Sequence, residues 1–296
     1  MPCFHPMPAV RLKDGSVKFV SRNAKNVESS LDLPCGQCVG CRLERSRQWA
    51  VRCMHEASLH DSNAFVTLTY RDECLPPGGS LRYRDFQLFM KRLRRRTGVE
   101  MSYYVGGEYG EKLSRPHFHC CLFGYDFHDK QYLSRSSDGS KLFTSAFLEE
   151  VWGNGMCSTG DVSFASAAYI ARYCVAKVNG QLAAAHYTRV TDDGEIVRLA
   201  SEFNHMSLKP AVGKRWLEKY RTDVYPRDYV IVNGVKTKPP KAYDRWFEEE
   251  DPITFDELRC IRELDAALVA SDNSYARLAV KEQVASARVS MLKRSL

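Results

Sequence analysis

Apolar positions along the chain fall into two rhythms. From Arg42 to His60, Trp49, Ala50, Cys53, Met54 and Ala57 recur at helical spacing. From Arg84 to Thr97, Phe86, Phe89, Met90 and Leu93 make a second helical stripe, and Gly98 is a fitting stop. Between the two helices, Phe65-Val66-Thr67-Leu68-Thr69-Tyr70 is a β-branched and aromatic run that predicts a buried strand, closed by the loop Pro76-Pro77-Gly78-Gly79. Further strands are predicted from Met101 to Tyr109 and from His117 to Phe123. The polar stretch 125–144 is expected to be an excursion. A short helix follows from Ser145 to Trp152, a short strand from Asp161 to Phe164, and a helix from Ala165 to Val178. Val230 to Thr237 carries Asn233-Gly234, the signal of a type I′ hairpin. Thr254-Phe255-Asp256-Glu257 matches a capping box and opens a helical tail with Leu258, Ile261, Leu264, Ala267 and Leu268. Residues 1–40 show little periodicity. There is no internal repeat.

The 296 residues suffice for a sizeable core. Helices and strands in mixed order fit an α+β fold with a Cys-rich N-terminal segment plus helix (1–60), a central domain (61–225) that holds the candidate chemistry, and a hairpin with helical extension (226–296). No apolar run approaches the ~18 residues of a membrane span, and the first residues lack a basic then apolar secretory pattern. No membrane partner is expected. Eleven cysteines without such a signal point to a reducing compartment, and their odd number argues against a closed disulfide framework.

A net charge of +7 suits a nucleic-acid partner without requiring one. The run Lys91-Arg92-Leu93-Arg94-Arg95-Arg96 packs five cations into six positions. A solvated helix end would carry the same run; beside the motifs below it reads as a phosphate contact.

The chemistry centres on Arg115-Pro116-His117-Phe118-His119. Residues two apart on a strand share a face, so both imidazoles project together. Such a pair suits Mn²⁺, Co²⁺ or Zn²⁺ better than Mg²⁺. An oxygen ligand is wanted, and Glu108 lies nine residues upstream, at the end of the preceding strand. An isolated His-x-His more often marks two strand histidines that hold nothing; the strand context and Glu108 bring the two readings level.

Tyr169 and Tyr173, in Tyr169-Ile170-Ala171-Arg172-Tyr173, share a helical face, and Lys177 extends it. A core stripe would look similar, but Ile170, Ala171, Cys174 and Val175 already offer an apolar face. A phenol of pKa near ~10 is mostly protonated at neutral pH and needs help to attack phosphorus. A metal would polarise the phosphate, and Lys177, Arg172 or Arg115 would add positive charge. The product is a 5′-phosphotyrosine with a free 3′-hydroxyl, and rejoining needs no ATP. The chain has no Gly-x-x-x-x-Gly-Lys-Ser/Thr run, which argues against a built-in helicase.

These motifs resemble those of the HUH endonucleases, the rolling-circle replication initiators. His117-Phe118-His119 resembles the motif that names that superfamily, the strand Phe65–Tyr70 its first motif, and the two-tyrosine helix its third. The likeness is closer to the replication initiators of the gokushovirus branch of the microviruses. It is carried by Cys35-Gly36-Gln37-Cys38-Val39-Gly40-Cys41-Arg42, Lys91-Arg92-Leu93-Arg94, Gly107-Glu108-Tyr109-Gly110, Arg115 to His119, and Glu202-Phe203 with Met206-Ser207. The resemblance implies a central antiparallel sheet flanked by helices on an RRM/ferredoxin-like core. It implies nicking of the replicative duplex at the viral origin, covalent attachment, and circularisation of the displaced strand. It also implies Mg or Mn bound by His117, His119 and Glu108, single-stranded DNA as substrate, host helicase and polymerase as partners, and the bacterial host cytoplasm as the location. Arg172 stands where many superfamily members carry lysine, which puts a proton-transfer role there in doubt. Pro210-Ala211-Val212-Gly213 resembles a Pro-Gly-Ile-Gly block with no evident chemistry.

Cys35, Cys38 and Cys41 have a spacing that lets thiolates converge on one zinc, with Cys3 the natural fourth ligand and His5, Cys53 or His55 as alternatives. Unligated thiols are the competing reading. DNA contacts are expected from Lys91, Arg92, Arg94, Arg95, Arg96, Arg115 and Arg172. A non-catalytic, zinc-stabilised origin-binding protein is the alternative from another class, and a plasmid initiator, transposase or relaxase the alternative with the same chemistry.

Overall fold

Strands that are buried on both faces read as nearly continuous apolar runs, and three such runs make the centre of this molecule. The computed structural model describes residues 3–19, 26–110, 113–136, 139–176, 181–190 and 193–291, with the backbone alone for 172–176, 181 and 182. In chain order the elements begin with β1 (Met7–Leu12), β2 (Val17–Phe19), β3 (Val27–Leu33), α1 (Val39–Ala57) and β4 (Asn63–Thr69). Then come α2 (Tyr83–Thr97), β5 (Ser102–Tyr109), β6 (Pro116–Phe123), β7 (Gln131–Arg135), β8 (Lys141–Thr144), α3 (Ala146–Trp152), β9 (Cys157–Gly160), α4 (Phe164–Ala176) and α5 (Gln181–His186). The rest is β10 (Thr188–Val190), β11 (Ile196–Arg198), β12 (Phe203–Met206), α6 (Lys214–Val224), β13 (Val230–Val232), β14 (Val235–Thr237), α7 (Lys241–Glu250), α8 (Pro252–Leu268) and α9 (Tyr275–Met291).

The chain divides into two compact units. One joins Met1–Arg45 with Ile253–Arg294; the other is Ser46–Pro252. In the larger unit, seven of the described strands form one antiparallel sheet in the order β12-β5-β6-β4-β9-β8-β7. Alternation along β6 divides its side chains between two layers. Phe118, Cys120 and Leu122 pack with Phe86, Phe89, Met90 and Leu93 of α2 and Leu148, Val151 and Trp152 of α3. Cys121 and Phe123 face the other way, towards Ala50, Cys53 and Ala57 of α1 and Ala167, Ile170 and Ala171 of α4. This is the expected α+β fold, a central antiparallel sheet flanked by helices.

Three local expectations are corrected. The strand expected over 161–164 is β9, a few residues earlier, and Phe164 opens α4 instead. Ser163 and Ser166 cap that helix reciprocally: Ser163 N–H donates to Ser166 Oγ at 2.8 Å and Ser166 N–H to Ser163 Oγ at 3.1 Å. Val162 and Phe164 alternate as a strand would because both lean on the α1/α4 core. The excursion at 125–144 contains the hairpin β7–β8, which continues the sheet at its edge with β7 largely exposed, so apolar patterning could not mark it. The capping box at Thr254 lies inside α8, which opens at Pro252; proline suits a first turn, whose N–H has no helical partner.

The smaller unit contains a three-stranded antiparallel sheet, β2-β1-β3, where the sequence shows no periodicity. Strand β2 is exposed throughout and β3 mostly so, which removes the alternation that would reveal them. Its buried apolar residues include Ala9, Val10, Leu12, Phe255, Leu258 and Leu278.

The block Pro210-Ala211-Val212-Gly213 is an anchor within the larger unit. Arg52 donates to the Val212 carbonyl from Nε at 3.1 Å and from Nη2 at 2.9 Å. The Gly213 N–H donates to buried Glu56 at 2.8 Å. Burial by itself would raise the Glu56 carboxyl; bonds from His60, Gly213, Ser102 and Arg215 outweigh it and hold it at about 2.

Candidate active site

Register places the polar face of the central strands. Glu108 on β5 pairs with His117 on β6, Gly106 with His119, and on the other side Thr67 of β4 pairs with His119 and Thr69 with His117. Directly opposed residues share a face, so Glu108, His117, His119 and Thr67 all turn towards the α1/α4 layer. Glu108 is 3 % exposed and His119 2 %, whereas His117 is half-buried and opens the group to solvent.

The ligand-type atoms of Glu108, His117 and His119 lie within 4.8 Å of one another. Glu108 Oε1 is 2.7 Å from His117 Nε2 and 2.9 Å from His119 Nε2. The far nitrogen of each ring is occupied. His117 Nδ1 is 3.1 Å from the Arg115 carbonyl. A carbonyl only accepts, so Nδ1 carries a proton. His119 Nδ1 meets the Thr67 hydroxyl at 2.9 Å. These partners turn both Nε2 atoms onto the carboxylate, the outer bonding that orients imidazoles towards a metal.

A neutral His117 would then face a carboxylate oxygen with a lone pair, so the group needs a positive charge. A proton or a bound cation can supply it. Burial by itself would raise the Glu108 carboxyl, but the bonds and charges of His117 and His119 hold it below its ordinary range. The same carboxylate raises His117 against the burial that would lower it, while burial keeps His119 low. Glu108 Oε2 is buried with no hydrogen-bond partner. Two imidazoles, a carboxylate and an orphaned buried oxygen fit a divalent ion with mixed nitrogen and oxygen preference.

Tyr169 projects from α4 onto this group. Its hydroxyl lies 3.5 Å from Glu108 Oε1, and its ring meets His119 edge-on with centroids 5.0 Å apart. Gly106 makes the approach possible: a Cβ there would stand 2.9 Å from Ile170 Cγ2 on the same helix. On the other face a Cβ at Gly107 would stand 2.7 Å from the Phe203 ring. Filling a strand glycine ordinarily gains about 0.5–1 kcal/mol. At Gly106 the clash is with a methyl close to the helix backbone, and overpacking of about 1–3 kcal/mol wins. Gly106→Ala is therefore expected to lower the urea midpoint and to displace Tyr169; a midpoint at or above that of the unchanged chain would show that α4 does not depend on this contact.

A family model described as Replication-associated protein ORF2/G2P matches residues 63–178, the stretch from β4 through α4 that carries this whole group. Replication-associated protein VP4 of Bdellovibrio phage phiMH2K is 34% identical over 263 residues, covering 85% of this chain and 79% of that protein. Replication-associated protein ORF2 of Spiroplasma virus 4 is 31% identical over 280 residues, covering 84% and 81%. The chain belongs to this phage replication-associated protein family. A third relative, Replication-associated protein ORF4 of Chlamydia phage 1, is 31% identical over 222 residues, covering 72% of this chain and 53% of that protein. No solved structure matches.

The other residues singled out in this replication-associated protein are dispersed. Tyr173 and Arg172 lie on α4, described by backbone alone, with Tyr173 about one helical turn (~5.4 Å) beyond Tyr169. Lys177 lies outside the described residues. The basic run sits on α2, in the layer opposite the Glu108 group. Arg92 donates to the Val151 and Trp152 carbonyls at 2.7 and 2.8 Å, closing the end of α3. Arg94 donates to the Met101 carbonyl at 2.8 Å, and Arg96 pairs with Glu150 at 2.9 Å. Lys91 and Arg95 are exposed. Arg115 is close to the group, donating to the Tyr70 carbonyl and pairing with Asp72. Cys3, Cys35, Cys38 and Cys41 converge in the smaller unit. Thr67 and Gly106 were not among the expected site residues. The Thr67-Leu68-Thr69 alternation could have marked Thr67, since it puts a hydroxyl on the histidine face; a lone strand glycine says only that something comes close.

Proposed function

We propose that this protein starts replication of a single-stranded DNA phage by cutting one strand at the viral origin and later rejoining it. The observation that carries the reading is the Tyr169 hydroxyl at the Glu108–His117–His119 group, 3.5 Å from the carboxylate. When bound by Glu108, His117 and His119, a divalent ion, Mn²⁺ or Mg²⁺, would act as a Lewis acid on a phosphate oxygen. Tyr169 Oη attacks phosphorus, the bond from phosphorus to O3′ breaks, and the phenolic proton ends on the departing 3′-hydroxyl. The piece downstream of the cut stays on the protein through its 5′-phosphate, as a phosphotyrosine. The 3′-hydroxyl is free to prime synthesis. In rejoining, a 3′-hydroxyl attacks the phosphotyrosine and the phenol leaves with its proton restored, so no external energy is needed. Tyr173 provides the second nucleophile, which lets one tyrosine hold an end while the other cuts. Lys177, Arg172 and Arg115 offset phosphate charge, and the cations of α2, foremost Lys91 and Arg95, bind phosphates away from the cut.

With no phosphate-binding Gly-rich run in the sequence, strand separation falls to a host helicase and synthesis to a host polymerase. The nuclease domain is 61–225, acting in the bacterial cytoplasm. Among the described residues no helix is long and apolar enough to cross a membrane.

The test uses single strands tiling the phage origin region, incubated with the protein and Mn²⁺ and resolved on a denaturing gel. A strand labelled at its 3′ end is expected to migrate with the protein, and the same strand labelled at its 5′ end to shorten to a fragment that a polymerase can extend. Binding of the strand without an adduct in any divalent ion would replace this reading with a non-catalytic origin binder.

A further inference from the structure

The smaller unit holds a second polar cluster that the DNA chemistry does not use. The sulfurs of Cys3, Cys35, Cys38 and Cys41 all lie within 4.8 Å of one another. Cys35 and Cys41 are 4.0 Å apart, as are Cys3 and Cys38. A disulfide needs about 2.05 Å, so these are not pairs on the point of bonding. Four sulfurs around a tetrahedral zinc, each about 2.3 Å from it, stand roughly 3.8 Å apart. The cluster is already close to that spacing.

The backbone around the sulfurs is arranged for negative charge. The Cys35 N–H donates to Cys3 Sγ, the Cys38 N–H to Cys35 Sγ and the Phe4 N–H to Cys38 Sγ, each at 3.3 Å. A neutral thiol is a weak acceptor, whereas a thiolate draws such donors strongly. Gly36, at φ +74°, makes the tight turn that lets the Cys38 N–H reach back to Cys35. Cys38 and Cys41 flank the first residues of α1, at the positive pole of that helix. Four converging thiolates would repel one another without a cation among them.

We propose that Cys3, Cys35, Cys38 and Cys41 bind one structural zinc ion. The other candidates for fourth ligand are engaged elsewhere. His5 Nε2 pairs with Glu282 at 2.7 Å. His55 Nδ1 meets the Tyr243 hydroxyl at 2.9 Å, and Cys53 is packed in the α1/α4 core. The ion fastens the irregular segment before β1 to the start of α1. The apolar core of this unit is modest, and small cores are commonly completed by a metal or a disulfide. In a reducing compartment the metal is the available choice.

The test does not depend on DNA cleavage. Purified full-length protein is dialysed against EDTA and its metal content measured, together with a His117→Ala/His119→Ala variant that removes the other candidate site. Both are expected to retain one zinc per chain. The cobalt-exchanged protein is expected to show sulfur-to-cobalt charge-transfer bands with tetrahedral d–d absorption. Cys3→Ser and Cys41→Ser should lose the ion, Cys3→His should keep it, and Cys260→Ser, at an exposed cysteine, should not change it. Metal-free protein with four alkylatable thiols, a pair of disulfides detected by mass, or iron in place of zinc would each overturn the proposal. If a serine variant fails to fold, the metal count and cobalt spectrum of the unchanged chain still decide.

Discussion

The Tyr169→Phe/Tyr173→Phe double variant is expected to form no covalent DNA adduct, a loss of more than about 10³-fold, while either single variant keeps some cleavage. The substitution removes only hydroxyls. The Tyr169 ring packs half-buried beside the α1/α4 core and edge-on to His119, and phenylalanine preserves both contacts. The Tyr169 hydroxyl's bond to Glu108, at 3.5 Å, is long, and a hydrogen bond contributes only about 0.5–1.5 kcal/mol even at good geometry. The urea midpoint should therefore move little while the adduct disappears, separating a nucleophile from a packing residue. The one-turn spacing of the two proposed nucleophiles on α4 also predicts which steps fail. A single variant should still nick a linear strand but should not complete the second cut that releases a circle. Undiminished adduct from the double variant would mean that the nucleophile lies elsewhere.

Those residues were visible in the sequence because the central strands and helices are long and strongly periodic. The twofold rhythm puts His117 and His119 on one face, and the short connection after Tyr109 puts Glu108 opposite His117. Periodicity names faces but not layers. It could not show that the basic run of α2 lies behind the sheet from the Glu108 group, nor that Arg92 and Arg94 serve the carbonyls of Val151, Trp152 and Met101. It failed altogether where strands are short and exposed, as in β2, β3 and β7, since a strand without a buried face has no pattern to read. The cysteine spacing gave three of the converging sulfurs and named Cys3 as the natural fourth; only the fold of a segment with little periodicity brings it there. Gly106 is the clearest omission: its role is an absent side chain that admits Ile170, a contact between distant parts of the sequence.

Glu108→Gln provides the other large effect. Glutamine keeps the volume and loses the charge, so the packing around β5 is preserved. Cleavage is expected to fall by about 10²–10⁴-fold, since in the proposed mechanism an oxygen ligand is lost and with it the cation's support of the reacting phosphate. The apo fold should lose some stability, because His117 and His119 hold the carboxylate below its ordinary range and glutamine gives up that pairing. Metal dependence separates this from a general loss of structure. A ligand present at 100 times its dissociation constant stabilises the state it binds by about 2.7 kcal/mol. Mn²⁺ should therefore raise the melting temperature of the unchanged chain and not that of Glu108→Gln, with EDTA reversing the rise. Thr67→Val supplies the graded control: it leaves all three candidate ligands and removes only the partner of His119 Nδ1, for which a loss of about 10–100-fold is expected. A Glu108→Gln protein that still forms the adduct at the original rate, with its Mn²⁺-dependent melting shift intact, would remove the carboxylate from the metal group.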